Sequence, residues 1–171
     1  RKGAVKTWWR ELMIKQGRSI EDKMIVFLST FVALEFDTVF TGTYYYRYQN
    51  TLRTYATGNY KALVKAITLE PAMLIYLNGQ YNTKGAPDEN YGRELQELFT
   101  VGKGPGSGYT ESDVQAADTV LTGYRINAQG HTYFDSIKGH DHTNKPFSAF
   151  YTTTVLDWKS CIIGSLVMSQ L

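Results

Sequence analysis

Arg93, Glu94 and Glu97 are the side chains whose types and spacing could most readily carry proton transfer or grip an anion. They lie in the densest polar stretch of the chain, Asp88-Glu89-Asn90-Tyr91-Gly92-Arg93-Glu94-Leu95-Gln96-Glu97-Leu98-Phe99. Wound as a helix, Glu89, Arg93 and Glu97 share a face, and Asn90, Glu94 and Glu97 form an adjoining row. On a solvated face this is a ladder of ion pairs, each contributing about 0.2–0.5 kcal/mol. In a pocket, Glu94 or Glu97 is a general acid–base and Arg93 holds a carboxylate or a substrate anion. Spacing alone favours the ladder, with Asp88, Glu89, Asn90, Arg93 and Glu94 as a structural polar motif.

His140-Asp141-His142, followed by Lys145, is the second polar cluster. Imidazole and carboxylate can ligate a metal, so His140 and Asp141 are the metal candidates. In a loop, surface hydrogen bonding is the plainer reading. His131 stands alone and reads as structural. The stretch Gly102-Lys103-Gly104-Pro105-Gly106-Ser107-Gly108 is no phosphate loop, because it lacks Gly-Lys-Ser/Thr at the required spacing and no buried strand leads into it. Ser29 and Ser160 have no neighbouring base in the sequence, so neither is proposed as a nucleophile.

These residues need a scaffold, and apolar periodicity supplies a mostly helical one. Val5, Trp8, Trp9 and Leu12 predict a helix over 4–16, with Gly17 as its C′ residue. Ser19 and Asp22 suggest a capping box for a second helix that turns Ile20, Met24, Phe27, Leu28 and Phe31 inward. Gly42 is expected to break it. Tyr44, Tyr45, Tyr48, Leu52 and Tyr55 mark the next helix, ending by Gly58. Asn59 caps a helix bearing Leu63, Val64 and Ile67, and Pro71 opens another with Met73, Leu74 and Leu77. Asp88 caps a helix over 89–99 that turns Tyr91, Leu95, Leu98 and Phe99 to the core and Gln96 to solvent. Thr110 caps one with Val114, Ala117 and Leu121 inward, ending at Gly123. Residues 124–134 predict a β-hairpin around Ala128-Gln129-Gly130. Residues 135–154 read as irregular, and 157–171 as an apolar helix weakened by Gly164. The expected fold is mainly α, a multi-helical orthogonal bundle with one small hairpin and long loops, in a single domain over 1–171.

Composition narrows the class further. Hydrophobic residues are 43% of the chain, and charged residues 20% with a net charge of +2, without a basic stripe of the kind nucleic acid needs. No apolar run is long enough to span a bilayer. Thirteen Tyr favour a core with wet edges or an interface. The lone Cys161 excludes an internal disulfide and any site of paired cysteines. The chain opens on Arg1 and closes on Leu171 within an apolar run, so a piece of a longer protein is expected.

Several ordered motifs resemble the bacterial family called domain of unknown function 1800. They are Asn82-Thr83-Lys84-Gly85-Ala86-Pro87-Asp88-Glu89-Asn90-Tyr91 and Arg93-Glu94-Leu95-Gln96-Glu97-Leu98-Phe99-Thr100, followed by Tyr109-Thr110-Glu111-Ser112-Asp113-Val114. Leu121-Thr122-Gly123-Tyr124, His140-Asp141 and Lys145 come next, with Gly58-Asn59, Ala66-Ile67-Thr68 and Pro71-Ala72-Met73-Leu74 upstream. The resemblance runs from about Trp8 to about Val155. The Gly-rich loop and Phe147-Ser148-Ala149-Phe150-Tyr151 are similar to members from the Bacteroidetes. The resemblance implies an internal portion of a longer, exported protein of the periplasm or cell surface, with no established activity. Many members carry Trp-His-Asn-His-Phe where this chain has Leu28-Ser29-Thr30-Phe31-Val32. Ser29 and Phe31 thus replace a histidine pair and cannot reproduce its ligation or near-neutral titration.

Two functional classes stay open. The first is a non-catalytic structural or accessory component of a surface assembly, without a cofactor, whose partners are other envelope proteins or the rest of its own chain. The second is a hydrolase, assisted by a divalent metal ion, acting on a surface polysaccharide or peptide. A further expectation concerns Glu94. At the edge of its helix's apolar stripe it should be substantially buried and clamp the loop over 78–87 by accepting hydrogen bonds.

Overall fold

The computed structural model describes residues 2–39, 41–143, 147 and 148. These fall into two compact units that divide between Tyr76 and Leu77. The fold is mainly α with one small antiparallel hairpin, as the sequence predicts. The proposed helix over 157–171 lies outside the described residues. No helix among the described residues is long and apolar enough to cross a membrane.

The first unit holds α1 (Lys2–Lys15), α2 (Ile20–Phe31), α3 (Gly42–Tyr55), α4 (Tyr60–Thr68) and α5 (Pro71–Tyr76). Its boundaries follow local signals. Gly17 takes φ +69° after α1, Thr41 caps α3 by accepting from the Tyr44 amide, and Asn59 caps α4 through the Ala62 amide at 3.0 Å. Gly42 therefore opens a helix rather than merely breaking one. Ser19 sits at the N-cap of α2 but its side chain makes no cap bond. Asp22 reaches Arg53 of α3 instead, at 3.3 Å.

That ion pair sits on the side of α2 that faces the core, with Ile25 and Leu28 buried beside it. The inward stripe expected from the sequence is mostly wrong as a result. Ile20, Phe27 and Phe31 are 68%, 56% and 43% exposed, and only Leu28 of that set is fully buried with Ile25 in their place. The core is completed by Tyr48 and Leu52 of α3, Leu63, Val64 and Ile67 of α4, and Ala72, Met73 and Leu74 of α5. Tyr48 keeps its hydroxyl bonded to the Val32 carbonyl. At the substituted histidine positions, Ser29 donates to the Val26 carbonyl at 2.7 Å. Phe31 stacks on Phe27 with ring centroids 6.2 Å apart.

The second unit begins with a 3-10 turn, Gly79–Tyr81, then α6 (Asn90–Glu94), a π-helical turn Leu95–Thr100, α7 (Glu111–Val120), β1 (Tyr124–Ile126) and β2 (Thr132–Phe134). The hairpin pairs Tyr124 with Phe134, Arg125 with Tyr133 and Ile126 with Thr132. Its turn is shaped by Asn127, whose side chain accepts from the Gln129 and His131 amides, and by Gly130 at φ +76°. Tyr91, Leu95, Phe99, Val114, Ala117 and Leu121 form the apolar core between α6, the π turn and α7.

The π turn changes which residues that core receives. Its hydrogen bonds run from i to i+5, so each turn holds more residues than the α spacing assumes. Leu98 is turned out, 52% exposed, while Gln96 is fully buried. Both reverse the sequence expectation.

Candidate functional site

The polar motif residues of the second unit sort into a surface cluster and a buried set. At the surface, Arg93 meets Glu89 at 3.3 Å, Glu97 at 3.6 Å and both oxygens of Glu111. The ladder of Glu89, Arg93 and Glu97 is therefore formed, and α7 adds a third carboxylate from its first turn. These hydrogen bonds hold the Arg93 guanidinium above its already high range, that to Glu111 first. Glu97 also binds Lys103 at 3.0 Å and Tyr109. Lys103 foremost, with Tyr109 and Arg93, holds the Glu97 carboxyl below the usual range despite its burial.

Glu97 thereby grips both ends of the Gly-rich loop, while the Val101 and Gly102 amides bond the Gln96 carbonyl at 2.8 and 3.0 Å. Gly102, Gly104, Gly106 and Gly108 all take positive φ, a run that side-chain-bearing residues would strain. The surface pairs themselves are solvent-screened. Arg93→Ala should therefore move the urea midpoint only slightly, and less in high salt. A large salt-independent loss would mean that Arg93 supports the core.

The buried set lies beneath this surface. Asn82 is fully buried, donates to the Asp118 carbonyl at 2.8 Å, and accepts from the Asp88 amide at 3.2 Å. Asp118, on α7 and 1% exposed, accepts from the Gly92 amide at 2.7 Å. A Cβ on Gly92 would stand 2.1 Å from that carboxylate oxygen, so only glycine permits the approach. Burial pushes the Asp118 carboxyl up to about 7, and the Glu89 and Asp88 charges push the same way against the Gly92 bond.

Gln96 donates to the Gly92 carbonyl at 3.2 Å and the Asp113 carbonyl at 3.3 Å. Asp113, also fully buried, forms a capping box with Thr110 and accepts from the Ser148 amide at 2.6 Å. Burial raises the Asp113 carboxyl, but the Ser148 and Thr110 bonds outweigh it and hold it below its ordinary value.

Glu94 is half-buried. Its Oε2 is shielded from solvent and has no hydrogen-bond partner among the described residues. The clamp on the loop over 78–87 is made instead by Asn82 and by Asn90, whose side chain donates to the Leu77 carbonyl at 3.4 Å. Glu89, not Asp88, is the N-cap of α6 and makes no side-chain cap bond; Asp88, one residue earlier, accepts from the Asn90 amide at 2.9 Å.

His140 is buried, with Nδ1 2.9 Å from the Thr122 carbonyl, and its ring meets His142 edge-on. The Asp141 amide donates to the Thr122 hydroxyl at 2.9 Å. Gly123 lies against this segment, where a Cβ would stand 2.9 Å from both the Asp135 carbonyl and the His140 amide. The Gly123 amide bonds the Asn82 carbonyl at 3.0 Å, and the Lys84 amide bonds that of Gly139. Among the described residues no three His, Cys, Asp or Glu side chains are gathered as a metal ion would require. Lys145 lies outside those residues.

Asn82 and Asp113 stand in the family motifs without a role of their own predicted for them, and Asp118 stands in none. A signal existed for two of them. Thr110 and Asp113 have capping-box spacing, and Asp118 falls four residues after Val114 on the apolar stripe of α7.

The motif stretches from 82 to 141 thus meet in one packed network. The family described as "Protein of unknown function (DUF1800)" matches residues 2–155. The chain belongs to that family. No curated protein and no solved structure matches it.

Proposed function

We propose that this DUF1800 segment is a non-catalytic part of an exported protein, a structural or accessory component of an assembly at the periplasmic face or cell surface. The observation that carries this reading is the use of the buried motif side chains. Asn82, Gln96, Asp113 and Asp118 each bond the backbone of another stretch of the same unit. Such side chains position chain segments and present no reactive group to a substrate. Arg93 is already surrounded by three carboxylates, which is a poor starting point for binding a substrate anion. Partners are then other envelope proteins or the remainder of its own chain.

The hydrolase reading draws on Glu94, whose shielded carboxylate oxygen has no hydrogen-bond partner among the described residues. Glu97 suits the role less, since a carboxyl held below the usual range by Lys103 is a weak acid–base near neutral pH. A divalent metal at His140 and Asp141 would need ligands from outside the described residues.

The two readings separate in one experiment. Native cells producing the full-length protein are fractionated, and the purified protein is assayed against envelope polysaccharides and peptides. The accessory reading expects an envelope fraction containing a cross-linkable complex, with no turnover. Turnover that Glu94→Gln abolishes while the variant stays folded would overturn it.

A further inference from the structure

The buried carboxyl of Asp118 has no role in the proposed function beyond its single bond to Gly92. We propose that Asp118 is a protonation-dependent latch, closing α6 onto α7 when neutral and loosening the motif segment when ionised. The geometry supplies the argument. Asp118 is 1% exposed, its Oδ1 takes the Gly92 amide at 2.7 Å, and its Oδ2 is buried with no hydrogen-bond partner among the described residues. An ionised carboxylate so placed has one donor where it could accept several bonds. A neutral carboxyl leaves only an uncharged hydroxyl there, which costs far less.

The charged groups that act on Asp118 come from α6 and the loop before it. Glu89 and Asp88 oppose ionisation and Arg93 favours it. Arg93, however, is shared among Glu89, Glu97 and Glu111. Relief for an ionised Asp118 therefore comes most directly from water, which lifting α6 away from α7 would admit. The absence of a side chain at Gly92 keeps the closed contact tight. Because Asn82 holds the Asp118 carbonyl, the loop over 82–88 is tied to the same point.

The sign follows from burial. An acid that titrates higher in the folded protein than in the unfolded chain binds its proton more tightly when folded. Its stabilising contribution is complete below the ordinary aspartate range, about 4. It is lost as pH rises through about 7.

The test uses the full-length protein. Asp118→Asn keeps the acceptor for Gly92 and imitates the neutral acid. The urea midpoint of the parent should fall between about pH 4 and about pH 7 relative to Asp118→Asn, which lacks this titration. Contributions common to both proteins cancel in the difference. Parallel profiles would overturn the latch. Carbon NMR of the Asp118 carboxyl in the unsubstituted protein decides the matter even if Asp118→Asn fails to fold. A midpoint near neutrality, together with faster Gly92 amide exchange above it than intrinsic chemistry explains, supports the latch. A midpoint in the ordinary aspartate range, or Gly92 exchange unaffected by the titration, would overturn it.

Discussion

Gly92→Ala should destabilise the protein by about 2–5 kcal/mol, summing overpacking with a lost buried hydrogen bond. The new methyl would stand 2.1 Å from Asp118 Oδ1 and 2.9 Å from the Asp118 amide nitrogen. The carboxylate can swing away, but it then abandons the buried Gly92 amide. The backbone of α7 has no such freedom. Helix propensity predicts the opposite sign, since alanine favours a helix interior over glycine by about 1 kcal/mol. A urea melt of the full-length variant thus distinguishes local from tertiary control. Asp118→Ala removes the obstructing carboxylate, so Gly92→Ala should cost markedly less in that background. Equal costs in the two backgrounds would show that the contact is not the cause.

Asn82→Ala should cost about 2–4 kcal/mol, because it strands a carbonyl and an amide at once. Both partners, the Asp118 carbonyl and the Asp88 amide, lose their only bond to this fully buried side chain. The amide bonds that hold Thr83 to Ala86 and Lys84 to Gly139 should weaken with it. Hydrogen exchange then reads the effect directly, as lost protection at residues 83–88. Glu94→Ala is the control, since its shielded oxygen accepts no hydrogen bond from that loop. If Glu94→Ala releases the loop and Asn82→Ala does not, the clamp has been assigned to the wrong side chain.

Much of this architecture is legible in the sequence itself. Thr110, Asn59, Pro71 and Gly17 mark helix ends, and Gly130 marks the hairpin turn, because each acts on backbone only a few residues away. The ion-pair ladder of Glu89, Arg93 and Glu97 was equally readable, being set by helical spacing alone. Helix existence and the surface half of the polar motif therefore belong to the sequence by itself.

The faces of the helices and the buried polar network were decided by tertiary structure. Asp22 carries capping-box spacing, yet Arg53, 31 residues on, claims it and directs α2. Asn82 finds Asp118 across 36 residues and Asp113 finds Ser148 across 35. No local pattern encodes such pairs, because a polar side chain enters a core only where a distant partner satisfies it. Gln96 shows the same rule at closest range. Read with α periodicity it faces water, but the π turn swings it inward, where the Gly92 and Asp113 carbonyls are waiting to accept its amide.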